Sequence, residues 1–367
     1  MMNPPIPAPD VLPLPAPAGL IQFLLVLTFI LHLVPMNFLL GGGILAGMSH
    51  LLSKKHERHA RLAKRLSELM PTAVAMAVSF GVAPLLFVQV LYGHLLYSSS
   101  ILMANAWFMV VPLVIVGYYC VYLLRFKWDP LGAFRTYVAW FLAIIFAGVG
   151  FIYSNNFSLM QRPETWKDHY FVSPDTGHLA LSDPALYPRY LHMLLGAVAV
   201  AGVWVLIIGA RRRSGDEEWS HWAMRYGGRV FTFATLLNIV VGFWFMISVP
   251  RRAMMIFMGK NLPATVAFVV SFILIMGALH LLARVSRRQA SRPAYMGAGI
   301  LVVVLALMAV MRQEMRTAYL EPYFNLGQLQ VQPQWGVFAF FVVTLLIGLA
   351  AVAWLVRVVL TAKKAGG

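Results

Sequence analysis

Histidines within hydrophobic segments are the residues of this sequence best suited to chemistry. Five of them lie in or at the edges of long apolar stretches: His32, His50, His94, His192 and His280. The interiors of these stretches contain no Asp or Glu. An imidazole is costly in hydrocarbon unless it faces the bundle interior and has a partner. Because the carboxylates that carry most proton and cation pathways are missing there, the pattern favours a bound cofactor over a transported ion.

Three of these histidines are predicted to bind heme near one face of the membrane. His192 begins the fifth apolar stretch, and Arg189, three residues earlier, falls on nearly the same helix face. An imidazole there can ligate heme iron through one ring nitrogen, and the arginine can bind a propionate. His32 lies deeper among apolar residues, and Gly93 leaves room for a bulky group beside His94. The alternative for each of the three is an ordinary interfacial or packing histidine.

The other histidines have simpler interpretations. Five adjoin a basic cluster or lie in a basic loop and are predicted to be interfacial or solvated: His50, His56, His59, His221 and His280. His169 and His178 lie in the longest polar loop, about 157–188, where they are candidates for contact with a partner or a quinone.

Arginines near the same face as the heme candidates provide partners for anionic groups: Arg189, Arg251, Arg252, Arg312 and Arg316. Guanidinium geometry matches carboxylates, so we expect these side chains to bind heme propionates or an acidic partner. The alternative is anchoring in the headgroup region. Cys120 is the single cysteine, so no C-x-x-C-H site attaches heme covalently, and a c-type heme must belong to a partner.

Composition indicates that membrane-spanning helices position these residues. The chain has 367 residues, of which 60% are hydrophobic and 11% charged, with a mean hydropathy of +0.75. This is too apolar for a soluble globule. Apolar runs close to the roughly 20 residues that cross a bilayer as helix recur throughout. They predict an all-α polytopic bundle of nine spans: 18–48, 70–97, 103–125, 135–156, 189–211, 229–249, 263–285, 294–316 and 336–358.

The net charge of +16 reflects topology and does not require nucleic acid as a partner. Most of the 29 basic residues fall in loops that alternate to one face, which the positive-inside rule makes cytoplasmic. Nine spans then place the N-terminus in the periplasm, called the exported side below, and the C-terminus in the cytoplasm. We expect one transmembrane domain, 18–358, between an exported proline-rich tail, 1–17, and a cytoplasmic tail, 359–367. The first tail lacks the basic n-region of a secretory signal, so we expect it to be retained.

Three stretches resemble a known family. IQFLLVLTFILHLVPMNFLLGG is similar to the first helix of cytochrome bd oxidase subunit I, in which a heme ligand and a proline match His32 and Pro35. SFGVAPLLFVQVLYGHLLYSSS resembles that family's FG…EFQFG helix. PRYLHMLLGAVAVAGVWVLIIGA resembles the helix whose histidine binds low-spin heme b. The resemblance covers about residues 18–250 and implies that His192 ligates a low-spin heme b and His32 a second heme.

The sequence departs from this family at acidic positions. Gln89 stands where the EFQFG element has its acid, and the GRQPW-type segment corresponds at best to MRQEMR. In that segment Glu314 is the single carboxylate, predicted to lie at a helix end. The loop Pro250–Pro263 is short where the family has a long quinol-binding loop. Without internal acids an oxygen-reducing heme lacks a proton route, so electron transfer is expected instead.

These features predict a b-type heme subunit of a bacterial inner-membrane complex, with one to three hemes b. It is expected to contact lipid and quinone, and to pass electrons between the quinone pool and a periplasmic partner such as a multiheme cytochrome c. Any enzymatic activity would belong to the complex. Two alternatives are open: the catalytic subunit of a divergent bd-type quinol:oxygen oxidoreductase, and a heme-free quinone-binding anchor or transporter.

Overall fold

Long helices account for almost all of the chain. The computed structural model describes residues 9–172, 178–211, 216–288 and 291–362. Within these ranges, nine helices are long and apolar enough to cross a membrane, which confirms the predicted all-α bundle of nine spans. They are α1 (Ala18–Ser53), α2 (Glu57–Leu102), α3 (Val110–Phe126), α4 (Arg135–Gln161), α5 (Leu186–Ala210), α6 (Glu217–Ser248), α7 (Leu262–Arg288), α8 (Ser291–Leu320) and α9 (Trp335–Ala362). The third and fourth spans include the short helices that precede α3 and α4, so that they run over Ala104–Phe126 and Trp128–Gln161.

Several helices extend beyond the apolar spans. α2 begins at Glu57 rather than at residue 70, and α6 begins at Glu217 rather than at residue 229. Hydropathy identifies only the part of a helix that lies in the hydrocarbon layer. The helix itself can continue into water, because its backbone hydrogen bonds do not depend on the membrane. For the same reason α8 continues to Leu320, so the prediction that Glu314 lies at a helix end was wrong.

Several connections between the spanning helices contain a short helix. These short helices are Ala104–Phe108 before α3, Trp128–Leu131 before α4, Trp166–Val172 after α4 and Arg251–Met255 after α6. The last two lie on the exported side, close to the exported ends of the spanning helices.

The outer surface of the bundle is apolar. Large side chains such as Phe108, Ile247 and Phe340 are 82%, 76% and 72% exposed. Water does not tolerate so much contiguous apolar surface, but the hydrocarbon of a bilayer solvates it. The chain is therefore a multi-pass membrane protein whose outer side chains contact lipid.

α1 lies at the centre of the bundle and packs against α2, α4 and α5. Gly41 of α1 approaches the carbonyl oxygen of Ala197 on α5 so closely that a side chain has no room. α5 and α6 cross in a similar way, because a Cβ at Gly202 would lie 2.7 Å from the backbone nitrogen of Phe231. Such small-residue contacts let helix backbones approach each other. They fix the height of α5 against its neighbours and hence the height of His192.

The exported tail is tied to the connection between α8 and α9. The backbone nitrogen of Leu14 donates to the carbonyl of Gln330 at 2.8 Å, and Gln332 donates to Leu14 at 2.8 Å. Several parts of the predictions lie outside the described residues: positions 1–8 and 363–367 of the two predicted tails, and the basic residues Arg212, Arg213, Lys363 and Lys364.

Candidate functional site

His32 projects from α1 toward α2. Its Nδ1 donates a hydrogen bond to the carbonyl oxygen of Ala77 at 2.8 Å. Because a carbonyl can only accept, Nδ1 carries the proton and Nε2 keeps its lone pair. Gly81, one turn along α2, lies against the ring, since a Cβ there would be 2.9 Å from both Cε1 and Nδ1. The ring is thus oriented as in metal-binding histidines, with Nε2 as the available ligand atom.

The same arrangement recurs between α5 and α6. Nδ1 of His192 lies 3.3 Å from the carbonyl oxygen of Asn238, which again assigns the proton to Nδ1. A Cβ at Gly242 would lie 3.2 Å from Cε1 and 3.3 Å from Nδ1 of this ring. In both cases the accepting carbonyl and the glycine are four residues apart on one helix, which puts them on one face. Two histidines on different helices are therefore held in the same way, by a carbonyl oxygen and by a glycine one turn later on the facing helix.

The two imidazoles lie at similar depth. α1 and α5 run in the same direction across the membrane and meet at Gly41 and Ala197. His32 precedes Gly41 by nine residues, whereas His192 precedes Ala197 by five. At about 1.5 Å per residue, His32 lies roughly 6 Å nearer the exported end. The expectation that His32 lies deeper was wrong, because the height of α5 is set by packing against α1 and not by its own sequence.

His94 lies in a different part of the bundle. It follows Ala77 by 17 residues on α2, a separation of about 25 Å along a straight helix. Tyr92 interrupts the helix, with φ −133° and ψ 27°. The ring of His94 packs against Phe324 after α8, with 4.6 Å between ring centroids. The structure therefore places His32 and His192 within about 6 Å of each other in depth and His94 nearer the exported surface.

Arg312 of α8 lies above His32 on the exported side. Its guanidinium sits over the rings of Phe29 and Phe157, at 4.5 Å and 4.7 Å from their centroids. Phe29 precedes His32 by one turn of α1, so the cation lies close to the imidazole. Cation–π contacts of this kind stabilise a desolvated guanidinium without neutralising its charge.

Arg316 lies one turn further along α8 and is only 4% exposed. Its Nη1 donates to Oε1 of Gln313 at 2.7 Å, and Nε2 of Gln313 donates to the hydroxyl of Tyr92 at 2.8 Å. Nε of Arg316 has no hydrogen-bond partner among the described residues.

Arg189 occupies the corresponding position above His192. Nη1 donates to Oγ of Ser158 at 2.8 Å, and the guanidinium lies 5.5 Å from the ring centroid of Phe245. Nη2 is buried and has no partner in the described part of the chain. We call Arg189, Arg312 and Arg316 the arginine layer, because it covers both histidines on their exported side.

The arginine layer fits an anionic cofactor. Arg312 is within electrostatic reach of both Arg316 and Arg189, and none of the three forms an ion pair in the ranges that the structure describes. Buried cations are costly unless they are paired. Anionic groups bound here would relieve this repulsion and satisfy the unpartnered Arg189 Nη2 and Arg316 Nε. The two propionates of a heme have this chemistry.

The donor set also fits a porphyrin better than a bare metal ion. Among the described residues, no group of three or more His, Cys, Asp or Glu side chains is arranged to hold a metal ion. His32 and His192 each offer one nitrogen. A porphyrin would supply most of the donors to its iron and would need only one or two from the protein, which these histidines could provide. The residues present therefore fit heme b.

The two remaining arginine candidates lie outside the arginine layer. Arg252 follows α6 and donates from Nη2 to the carbonyl oxygen of Tyr319 at 2.9 Å, which ties this short connection to α8. Arg251 is exposed on the exported side. This position suits contact with a partner or headgroups better than contact with a buried cofactor.

Two histidines expected to be interfacial or solvated are buried at the cytoplasmic end, so that expectation was wrong. His50 is 2% exposed, with its ring 4.9 Å from that of Trp128. His59 is 8% exposed and packs edge-on against Trp222 and Tyr226, at 4.9 Å and 5.1 Å. Both residues stand beside basic clusters in the sequence, but aromatic side chains from other helices cover them.

Replacing Gly81 with alanine should disturb His32 selectively. A methyl group there meets the imidazole at 2.9 Å, so the ring must move or lose its bond to Ala77. We expect overpacking to cost about 1–3 kcal/mol of stability and to alter the absorption of any cofactor bound at His32. Gly148→Ala is the matched control, because it makes the same change in a spanning helix with nothing within 4 Å. Equal stability and spectra for the two variants would contradict the assigned ring position.

Comparison with known proteins supports the architecture. No protein-family model and no curated protein matches this sequence. Among solved structures, the chain is similar to a bd oxidase from Geobacillus thermodenitrificans, with a TM-score of 0.66 at 13% identity. The match covers 97% of this chain and 100% of that chain. At this identity the likeness establishes a bd-like fold, a polytopic helical bundle, and leaves the chemistry to the side chains of this chain.

Proposed function

We propose that this protein is a b-type heme subunit in a bacterial inner membrane that passes electrons between the quinone pool and a periplasmic redox partner such as a multiheme cytochrome c. The observation that carries the proposal is the pair of histidines beneath the arginine layer. Each presents an unprotonated Nε2 inside the bundle, and among the described residues the arginines above them have no carboxylate partner. The bd-like fold agrees with this role.

Each residue has a defined part in holding the cofactor. Nε2 of His32 and Nε2 of His192 would ligate iron, while the Ala77 and Asn238 carbonyls fix the rings through Nδ1. The arginine layer would bind the propionates and orient them toward the exported side. Heme b, when bound, supplies one-electron redox chemistry. The surrounding apolar side chains exclude water and so strengthen these electrostatic interactions.

Electron transfer is favoured over oxygen reduction by the placement of acidic residues. Oxygen reduction consumes protons, which need a route of titratable groups through the bundle. Gln89 is a partly buried amide on α2, and Glu314 on α8 accepts a hydrogen bond from Nδ2 of Asn261 at 2.8 Å, near the exported end. Neither provides a path from the cytoplasm.

The exported surface suits an acidic redox partner. Arg251 and Lys260 are exposed on the connection between α6 and α7, on the exported side. Cationic groups around a redox centre accelerate the approach of an oppositely charged partner in a salt-dependent manner.

Optical spectroscopy of the purified protein tests the proposal. We expect a pyridine hemochrome of the b type, reduction by a short-chain quinol, and a reduced spectrum that persists in air-saturated buffer. Rapid reoxidation with oxygen consumption would contradict the proposal in favour of a bd-type quinol oxidase. A protein without Soret absorption would instead favour a heme-free quinone-binding anchor or transporter.

A further inference from the structure

A second polar cluster lies on the exported side of the arginine layer. It is formed by the end of α4, the turn before α5 and the end of α8, which contribute Ser158, Arg162, Asp183 and Tyr319. Ser158, Asp183 and Tyr319 are 1%, 4% and 1% exposed, so the cluster is enclosed although it lies near the membrane surface. The proposed heme site does not use these residues, apart from the bond between Arg189 and Ser158.

Only one of the two carboxylate oxygens of Asp183 has hydrogen-bond partners among the described residues. Its Oδ1 accepts a hydrogen bond from the backbone nitrogen of Ala185 at 3.1 Å and pairs with Nη1 of Arg162 at 3.3 Å. Its Oδ2 is buried and has no hydrogen-bond partner among the described residues. The turn that Asp183 forms with Ala185 before α5 needs only one oxygen. A buried carboxylate oxygen without a partner is costly, which indicates that it binds something further.

A small cavity borders Asp183 and provides space for that ligand. Its volume is about 10 Å³, the size that holds one water molecule. The polar lining residues are Ser158, Arg162, Thr165, His169, Ser182 and Asp183. A buried water needs two to four polar partners, and this lining provides them. Ser182 is exposed, so the cavity reaches the exported surface.

The inner end of the cavity is connected to the arginine layer. Ser158 lines the cavity and accepts the hydrogen bond of Arg189 Nη1 at 2.8 Å. The hydroxyl of Tyr319 is buried beside Arg189, and Asp183 and Arg162 lie within electrostatic reach of it.

The outer end of the cavity is His169, on the short helix Trp166–Val172. Burial lowers the pKa of His169 below its usual value of 6.5, and the charges of His178 and Arg162 lower it further, while Asp168 opposes this effect. A lowered pKa favours the neutral imidazole, whose unprotonated nitrogen can accept a proton and pass it on. Glu164 is the second carboxylate that pairs with Arg162, at 3.2 Å.

We propose that Asp183, the water in this cavity and His169 form a proton-transfer route between the arginine layer and the exported surface. The inference rests on the proposed function, because oxidation of a quinol supplies the protons. Oxidation of one quinol to quinone breaks two O–H bonds and yields two electrons, which pass to the bound redox centre, and two protons. Each proton passes through the water to Oδ2 of Asp183, then to His169, and then to exported water.

Reduction kinetics with two different donors test this route. A short-chain quinol must lose protons as it donates electrons, whereas dithionite reduces the same centre without that requirement. In Asp183→Asn we expect reduction by quinol to slow by about tenfold or more, as for loss of a general base, with heme content and dithionite reduction unchanged. Glu164→Gln is the matched control, because it removes the other carboxylate that pairs with Arg162 and should leave both rates unchanged.

His169→Asn provides an independent test. We expect slower quinol-driven reduction that added imidazole restores, an effect that a purely structural role would not produce. If Asp183→Asn retains heme and reacts with quinol at the rate of the unaltered protein, the route is wrong and the heme proposal stands. If Asp183→Asn does not accumulate, an unaltered quinol rate in His169→Asn overturns the route. Absence of heme from the unaltered protein would overturn the proposed function itself.

Discussion

His192→Ala is expected to lose one equivalent of heme b per chain while the bundle remains folded. The substitution removes the Nε2 lone pair but leaves the apolar contacts of α5 with α6 and α1 in place. His32→Ala should remove a ligand in the same way, because its ring has the same tautomer and the same carbonyl and glycine support. Pyridine hemochrome quantification against protein concentration measures the loss.

The control for this experiment is His280→Ala. His280 lies on α7 near the cytoplasmic end and is exposed, so its removal should leave the heme content unchanged. His94→Ala, measured in parallel, decides whether that separate site holds a further heme. Full heme content in both His32→Ala and His192→Ala would show that these imidazoles do not ligate iron.

Arg312→Leu is expected to lower the midpoint potential of the bound heme. Arg312 places a cation beside His32 that has no carboxylate partner in the described part of the chain, and a nearby positive charge favours the electron-rich reduced state. A unit charge within about 10 Å at an effective dielectric constant of about 20 contributes on the order of 1–2 kcal/mol. For one electron this corresponds to a fall of roughly 40–90 mV. Redox titration followed in the visible spectrum measures the shift.

Arg251→Leu is the matched control for the effect of Arg312→Leu on the midpoint potential of the heme. It removes the same charge from an exposed position that water and salt screen, so the midpoint potential should change little. If the potential of Arg312→Leu equals that of the unaltered protein, the arginine layer does not act on the cofactor.

The fold could be predicted from the sequence because its determinant is simple. Each span must supply about 20 apolar residues, and such runs are visible without any knowledge of tertiary contacts. The extensions of α2 and α6 could not be predicted in this way, because polar turns outside the membrane carry no hydropathy signal. His50 and His59 show the same limit, since the side chains that bury them come from distant parts of the sequence.

The chemistry of the candidate site could be predicted only in part from the sequence. An imidazole in an apolar span, as at His32, points to a cofactor, but the ring nitrogen that remains free depends on the Ala77 carbonyl of another helix. Asn238 and Gly242 are four residues apart, and together they support His192. This spacing is common in helices, so it identifies a histidine-binding position only when the structure shows which histidine faces it. Asp183 gave no sequence signal, because loop aspartates are common and its burial depends on three separate helices.

A cryo-electron microscopy map of the purified protein in a lipid nanodisc tests the central claim most directly. We expect planar macrocycle density in contact with Nε2 of His192 and likewise at Nε2 of His32, with carboxylate groups toward Arg189, Arg312 and Arg316. A map in which these imidazoles and guanidiniums contact only lipid, water or neighbouring protein groups would contradict it.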